Sequence, residues 1–479
     1  MKTPTYNAPV IEHDDEATVG ALLAPDVLEM LEENPDAIAA QTEELHARDL
    51  ADVAQALPRE MVAPFLSSLP VERAADVLEY LNEELRSEVL ETMSVRQAAE
   101  LVTEMTPDDR ADTLEGLEEE TSEEILSEIP AAERAETEKL LAYEPESAGG
   151  LMTTEFVSVS EETPVDEALA AVRRIARSER LEAMNTIYTT DAAGRVQGVM
   201  SLRELLAAPE GGKVSDIAWE EVQTVPLTAD REEVARVTRE YDLVAVPVVD
   251  DNGVIQGVVT VDDVIDALVE EHTEDVQRFG GMEALDMPYT QIGFFSMIRK
   301  RAPWLAALFL GEMLTTIPMK HFEGELQRAI VLGLFIPLII SSGGNSGSQA
   351  TSLIIRSLAL EEVRLRDWWK VFRREVPSGL VLGLILGIIG AFRILLWQYL
   401  DIAGGYGPHY QLIAVAIGIS LVGVVTFGSV IGSMLPFVLR RLGFDPASAS
   451  APFVATLVDV TGITIYFYVA LLLLRGTLL

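Results

Sequence analysis

The sequence predicts a multidomain membrane protein with a helical solenoid, an α/β tandem, a linker helix and an all-α domain of five spans. Three observations carry that prediction. Charge divides sharply along the chain. From residue 291 onward there are 15 Lys and Arg against 10 Asp and Glu, which leaves 20 against 67 before it, of totals 35 and 77. Long apolar runs are confined to the less acidic part, while helical and strand periodicities fill the acidic part. A chain of 479 residues also holds several domains rather than one core.

Composition excludes several classes. The chain has no cysteine, so it has no disulfide framework, thiolate metal site or cysteine nucleophile. A net charge of −42 argues against nucleic acid, which is bound by clusters of Lys and Arg. Lys occurs six times, and the acid excess falls on the water-facing part. That combination points to a halophilic cytosol, where salt screens the self-repulsion.

Residues 1–20 read as a disordered acidic tail without a secretory signal. Residues 21–145 read as short helices rich in Ala, Leu and Glu, punctuated by Pro. Leu69-Pro70-Val71-Glu72 and Met105-Thr106-Pro107-Asp108 look like copies of one unit, with Pro in the loop or cap and acids in the first turn. Stacked repeats of this kind predict a small α-solenoid.

Two α/β units follow, 146–210 and 211–270. In the second, 244–250 is an apolar strand, Asp251-Asn252-Gly253 a hairpin turn, 254–260 the returning strand, and a helix begins at Asp262. The first repeats this with 185–191, Ala192-Ala193-Gly194, 195–201 and a helix from Leu202, although Thr189-Thr190 stands where an apolar strand end is usual. The tandem resembles a CBS-domain pair, a module that senses small ligands. That resemblance places Thr260 and Asp263 where a ribose is met, with ATP as a modulator.

The segment 271–298 reads as a charged linker helix. Asp263, Asp266, Glu270 and Glu274 recur at three- and four-residue steps and crowd one face. Such a face is either merely solvated or a divalent-cation surface, because Mg²⁺ takes hard oxygen ligands.

From 299 to 479 the apolar runs 302–319, 329–353, 376–399, 411–439 and 452–474 are near or above the ~20 residues that cross a bilayer. Arg299, Lys300 and Arg301 precede the first. Arg356, Arg364, Arg366, Lys370, Arg373 and Arg374 lie around the second connection, and Arg440 and Arg441 lie before the fifth. This excess predicts a cytoplasmic N-terminal region and an external C-terminus.

Two membrane features stand out. Ser341-Ser342-Gly343-Gly344-Asn345-Ser346-Gly347-Ser348-Gln349 suits either close helix packing or an interrupted helix with carbonyls turned to a cavity. Asp459, near Thr456 and Thr461, is a carboxylate whose insertion costs roughly 2.5–3.5 kcal/mol unless it faces water, a cation or a partner. Arg393 is one such candidate partner, and Glu312 is a rival intramembrane acid. Catalysis finds little support. The five His are scattered without a His-Glu-x-x-His pattern, and no nucleophile elbow appears.

Taken in order, these parts resemble the MgtE family of magnesium channels. Gly149-Gly150-Leu151-Met152, Gly343-Gly344-Asn345-Ser346-Gly347-Ser348-Gln349, and Asp445-Pro446-Ala447 followed by Ala455–Gly462 carry the likeness. It implies a homodimer in the cell membrane whose pore lies between subunits, lined by the second and fifth spans. The implied pore residues are Asp459, Thr456, Gly344, Asn345 and Gly347. It implies further that intracellular Mg²⁺ closes the channel by bridging carboxylates. Those implied are Asp108 and Asp112 beside Gly149; Asp230 and Asp242; Asp263, Asp266, Glu271, Glu274 and Asp275; and Asp445. The alternatives are another divalent cargo such as Co²⁺ or Mn²⁺, Na⁺-coupled Mg²⁺ exchange, and a CBS sensor that answers to adenine nucleotides.

Overall fold

Pro-punctuated Ala/Leu/Glu segments become short stacked helices in the computed structural model, which describes residues 19–178, 182–209, 211–285, 289, 292–360, 362–402 and 406–478. The acidic tail lies outside these residues except for Val19 and Gly20. The chain divides into two units, Met1–Leu268 and Val269–Leu479.

In the first unit, successive helices end where Pro or a polar cap starts the next. Asn82 and Ser94 accept hydrogen bonds from the amides of Leu85 and Gln97, and Pro107 opens the helix Pro107–Glu115. Alternate helices pack together: Ala47–Ala56 on Val71–Glu79, that on Val95–Thr103, and that on Glu119–Glu128. The result is the expected solenoid. Its core holds Leu50, Val62, Phe65, Leu78, Leu90 and Val102.

Two three-stranded sheets follow: β1 Val157–Ser160, β2 Thr186–Thr190 and β3 Val196–Ser201, then β4 Val225–Pro226, β5 Ala245–Val249 and β6 Ile255–Thr260. In each, the first pair is parallel and the second antiparallel. The internal repeat extends to detail. Asp191 and Asp250 each accept two backbone amides in their turns, and both hairpins shift register at the same place, Thr189/Thr190 and Val248/Val249. The Thr pair therefore takes the same bulge as its Val counterparts, and Thr189 is buried.

The helix after β6 runs Val261–Phe279. Among the described residues of the segment assigned to the linker, helix therefore occupies 271–279 and, from Phe294, the start of the first span. Between them the chain turns at Gly281, whose φ is +78°, a left-handed value open to Gly.

The second unit contains five helical stretches long and apolar enough to cross a membrane: Phe294–His321, Ile330–Ala359, Leu365–Tyr399, Tyr410–Arg441 and Ala451–Leu474. The fourth is the hub, packed by the second, third and fifth, while the first rests on the fifth. Small residues set this arrangement. A Cβ on Gly428 would fall 2.3 Å from the carbonyl oxygen of Gly343, and one on Gly432 would fall 2.2 Å from that of Gly347. Two Gly-x-x-x-Gly faces thus bring the second and fourth spans into backbone contact.

Candidate ion path and ion-sensing carboxylates

The second span decides between the two readings of its Gly- and Ser-rich segment. Its helix Ile336–Ala359 is continuous, so of the two readings close packing holds and the interruption does not occur. Facing glycines remove the side-chain bulk that would otherwise separate the helices, and the backbone stays hydrogen-bonded to itself. Gly347 abuts Val454 and Gly428, and a Cβ on Gly344 would touch Ala455 at 3.4 Å. These two belong to packing. Ser346 and Ser429 share a 2.6 Å hydroxyl contact, and Thr351 donates to the Gly432 carbonyl at 2.9 Å.

Asn345 behaves differently. With Ser341 and Gln349 it forms an exposed row at four-residue steps, hence one helix face. A polar face exposed at membrane depth requires water, an ion or another polar surface.

On the fifth span, Asp459 is half-buried. Thr456 and Thr461 donate their hydroxyls to the carbonyls of Pro452 and Leu457, four residues earlier, at 3.0 and 2.6 Å. Their oxygens keep free lone pairs, as an ion's hydration shell requires. Arg393 does not serve Asp459. Its guanidinium lies 5.1 Å from the centroid of the Trp397 ring, near the end of the third span, where a long basic side chain snorkels to the interface. The group whose charge reaches Asp459 is Glu312.

In the first unit, Pro107–Glu115 presents Asp108, Asp109 and Asp112 toward the start of the helix after β6, where Asp262, Asp263 and Asp266 stand. Burial, then the charge of Asp108, pushes Asp263 up to about 8. Burial followed by Asp109 raises Asp108 to about 6, and burial followed by Asp109 and Asp108 raises Asp112 to about 7. Asp109 is raised as well, by burial first, with Asp262 and Asp266 contributing. Hydroxyls partly offset this repulsion, since Thr260 donates to Asp263 and Thr106 to Asp109 at 2.9 Å. One buried oxygen, Asp108 Oδ1, has no partner among the described residues.

Of the expected set, the structure therefore brings together Asp108, Asp112, Asp263 and Asp266. It adds Asp109 and Asp262, for which the only sequence signal was the doublets Asp108-Asp109 and Asp262-Asp263. The donor set is all carboxylate and crowded, and the charge of Arg86 on Asp109 and Asp112 leaves six acids in excess of it, which fits a divalent cation. Among the described residues, no three of these side chains converge on one point, so an ion binding there would keep part of its own hydration shell.

Other members separate. Asp230 caps the N-terminus of Arg231–Tyr241 and accepts the Glu233 amide at 2.7 Å, while Asp242 caps its C-terminus at φ +51°. Twelve residue steps along the helix hold them about 18 Å apart, so one ion does not join them. Gly149 is fixed by packing, because a Cβ there would lie 2.8 Å from Tyr143.

In the second unit, Glu271, Glu274, Asp275 and Asp445 surround a cation the sequence reading missed. Arg278 donates to Asp445 at 2.6 Å and pairs with Glu274. Asp275 is pushed up to about 6 by burial, then by Asp445 and Glu271.

Thr260 and Asp263, the expected ribose contacts, have counterparts in the first repeat. Asp263 is committed to Thr260 and faces Asp108, whereas a cleft of about 330 Å³ is lined by the corresponding pair of the first repeat, Ser201 and Glu204, with Tyr188, Trp219, Tyr241 and Asp242. Trp219 Nε1 donates to Glu204 at 2.8 Å. The signal was the repeat itself, Ser201-x-x-Glu204 echoing Thr260-x-x-Asp263.

Comparison with known proteins agrees with this division. Residues 336–469 match the family model described as a divalent cation transporter, MgtE. Residues 45–146 match the MgtE intracellular N domain, and 148–211 and 214–270 match CBS domains. The chain is 42% identical over 339 residues, 71% of its length and 72% of the relative's, to "Magnesium transporter MgtE" of Thermus thermophilus. It is 33% identical over 338 residues to the protein of that name from Enterococcus faecalis, covering 71% of each chain. A crystal structure of the soluble part of a magnesium transporter superposes with a TM-score of 0.50 at 30% identity, covering 53% of this chain and 99% of that one.

Proposed function

This chain belongs to the MgtE family of divalent cation transporters, which are not enzymes, and from that premise we propose that it is a homodimeric Mg²⁺ channel of the cell membrane, closed by Mg²⁺ on its cytoplasmic side. The observation that carries the proposal is that Asp459 on the fifth span is half-buried and the Ser341-Asn345-Gln349 face on the second is exposed, both polar at membrane depth. Neither tolerates lipid, and a second copy of the chain supplies the opposite wall. Mg²⁺ dehydrates reluctantly, so carboxylate and amide groups spaced for its hydration shell are the fitting ligands. The basic residues flanking the spans favour a cytoplasmic N-terminal unit, and the membrane potential suffices to draw the ion inward.

Closure follows from linkage. The carboxylates of Asp108, Asp109, Asp112, Asp262, Asp263 and Asp266 repel one another when ionised. A bridging Mg²⁺ removes that repulsion and selects the packed state. On the helix Val261–Phe279, Ile265, Val269 and Val276 expose an apolar edge that a second copy covers in the dimer. The aromatic cleft at Ser201 and Glu204 supports a second ligand, an adenine nucleotide such as ATP, as a modulator. The test is Mg²⁺ uptake into liposomes carrying the purified protein. Uptake in the parent and its loss in Asp459→Ala supports the pore assignment; equal uptake in both rejects it.

A further inference from the structure

Glu312 has no role in the account so far. It stands near the middle of the first apolar run, nine residues before the end of the span at His321. Nine residues of helix rise about 14 Å, farther than a Glu side chain reaches, so Glu312 does not escape to the interface. The first span meets the fifth at this level. A Cβ on Gly311 would come within 3.0 Å of Thr456 Cγ2, and Thr456 lies one turn from Asp459, on the same helix face. Glu312 and Asp459 are near enough for the charge on one to act on the other.

Immediately after Glu312 the α-helix tightens to a 3₁₀ turn over Met313–Thr315, and Thr315 donates its hydroxyl to the Glu312 carbonyl at 2.7 Å. The backbone is thereby fixed where the carboxylate leaves it. Arg278 and Lys370 form ion pairs in this unit, and among the described residues neither Glu312 nor Asp459 does. Two acids side by side at membrane depth without a fixed base are tenable only where a mobile cation or water compensates them.

We propose that Glu312 is a second cation-selecting carboxylate of the permeation path, placed beside Asp459 by the contact of the first span with the fifth. This rests on the channel reading above. Asp459 meets the ion through its waters; Glu312 raises the negative potential there and so concentrates divalent over monovalent cations. A field effect scales with ionic charge. Loss of the Glu312 charge therefore shifts the half-saturating Mg²⁺ concentration by twice the logarithm of its effect on K⁺.

The test is cation flux through the full-length protein in liposomes, with Mg²⁺ and K⁺ as probes, comparing parent, Glu312→Gln, Glu312→Leu and Glu312→Asp. The expected result is a rise of about tenfold in half-saturating Mg²⁺ for Gln and Leu, with about threefold for K⁺, near-parental values for Asp, and unchanged closure by Mg²⁺. Leu keeps the test open if Gln impairs insertion, because an apolar residue suits lipid. Parental Mg²⁺ and K⁺ values in both Gln and Leu overturn the proposal. So do equal shifts for the two ions, which would mark a packing role. Absence of Mg²⁺ flux from the parent overturns the channel reading instead, and is seen before any variant is compared.

Discussion

Asp263→Asn tests the sensing seam most sharply. In the parent, burial and the facing Asp108 raise Asp263 from the ordinary 3.8 to about 8, so at pH 7 the side chain is protonated at a cost set by its separated-state pKa. That cost is about 1.4 kcal/mol per pH unit, on the order of 4 kcal/mol in all. Asn is isosteric, needs no proton and keeps an oxygen for the Thr260 hydroxyl. The seam between the helical repeats and the second CBS domain is then stronger in Mg²⁺-free buffer and gains less from added Mg²⁺. The assay is protease cleavage of the soluble unit within the intact protein at pH 7, titrated with Mg²⁺. The expected outcome is protection in the variant before any Mg²⁺ is added and a smaller Mg²⁺-induced increment. Faster cleavage of the variant without Mg²⁺, and parental protection when Mg²⁺ is saturating, would refute the reasoning, because repulsion would then not be what Mg²⁺ relieves.

Three further outcomes follow. Asp108, Asp112 and Asp263 carry folded-state values of about 6, 7 and 8 against 3.8, so the packed seam binds more protons than the separated one. Its stability is fully present below the separated-state value of 3.8 and is lost as pH rises from there to about 8, most steeply before the lowest folded-state value of about 6. Proteolysis in Mg²⁺-free buffer should therefore accelerate over that window and be suppressed by Mg²⁺ at its upper end. Arg278→Gln removes the cation bound to Asp445 and Glu274. The linker helix should loosen without Mg²⁺, while the Mg²⁺ concentration that closes the channel falls severalfold, read from flux. Gly428→Ala places a methyl 2.3 Å from the Gly343 carbonyl oxygen, forcing the second and fourth spans apart. Thermal denaturation in detergent should show a loss of a few kcal/mol, whereas Gly324→Ala, which meets nothing within 4 Å, should not.

Much of the architecture was legible because it is written in local patterns. The five spans are continuous apolar runs, and the tandem sheets repeat one turn chemistry, Asp191 and Asp250 each holding two amides. What escaped depends on contacts across space. Gly343-Gly344 suits either a helix break, since Gly lowers helix propensity, or close packing. Only the facing Gly428 and Gly432 show why it is a packing face instead. Asp230 and Asp242 are implied carboxylates by resemblance alone, and only the intervening helix shows that they stand at its opposite ends. Arg278 was hidden because a base among acids on a helix reads as an ordinary surface pair. Glu312 and Asp459 lie in different spans, and nothing in their sequence neighbourhoods indicates that their charges act on each other.

The central claim is conduction of Mg²⁺ past Asp459 with closure by the ion on the N-terminal side. Single-channel recording from the purified protein, stepping Mg²⁺ on that side, with Asp459→Ala in parallel, tests both parts at once. The account predicts a Mg²⁺ current that shuts as Mg²⁺ is raised and is absent or unselective in Asp459→Ala. A selective Mg²⁺ current in that variant, or parental channels that stay open at high Mg²⁺, would contradict it.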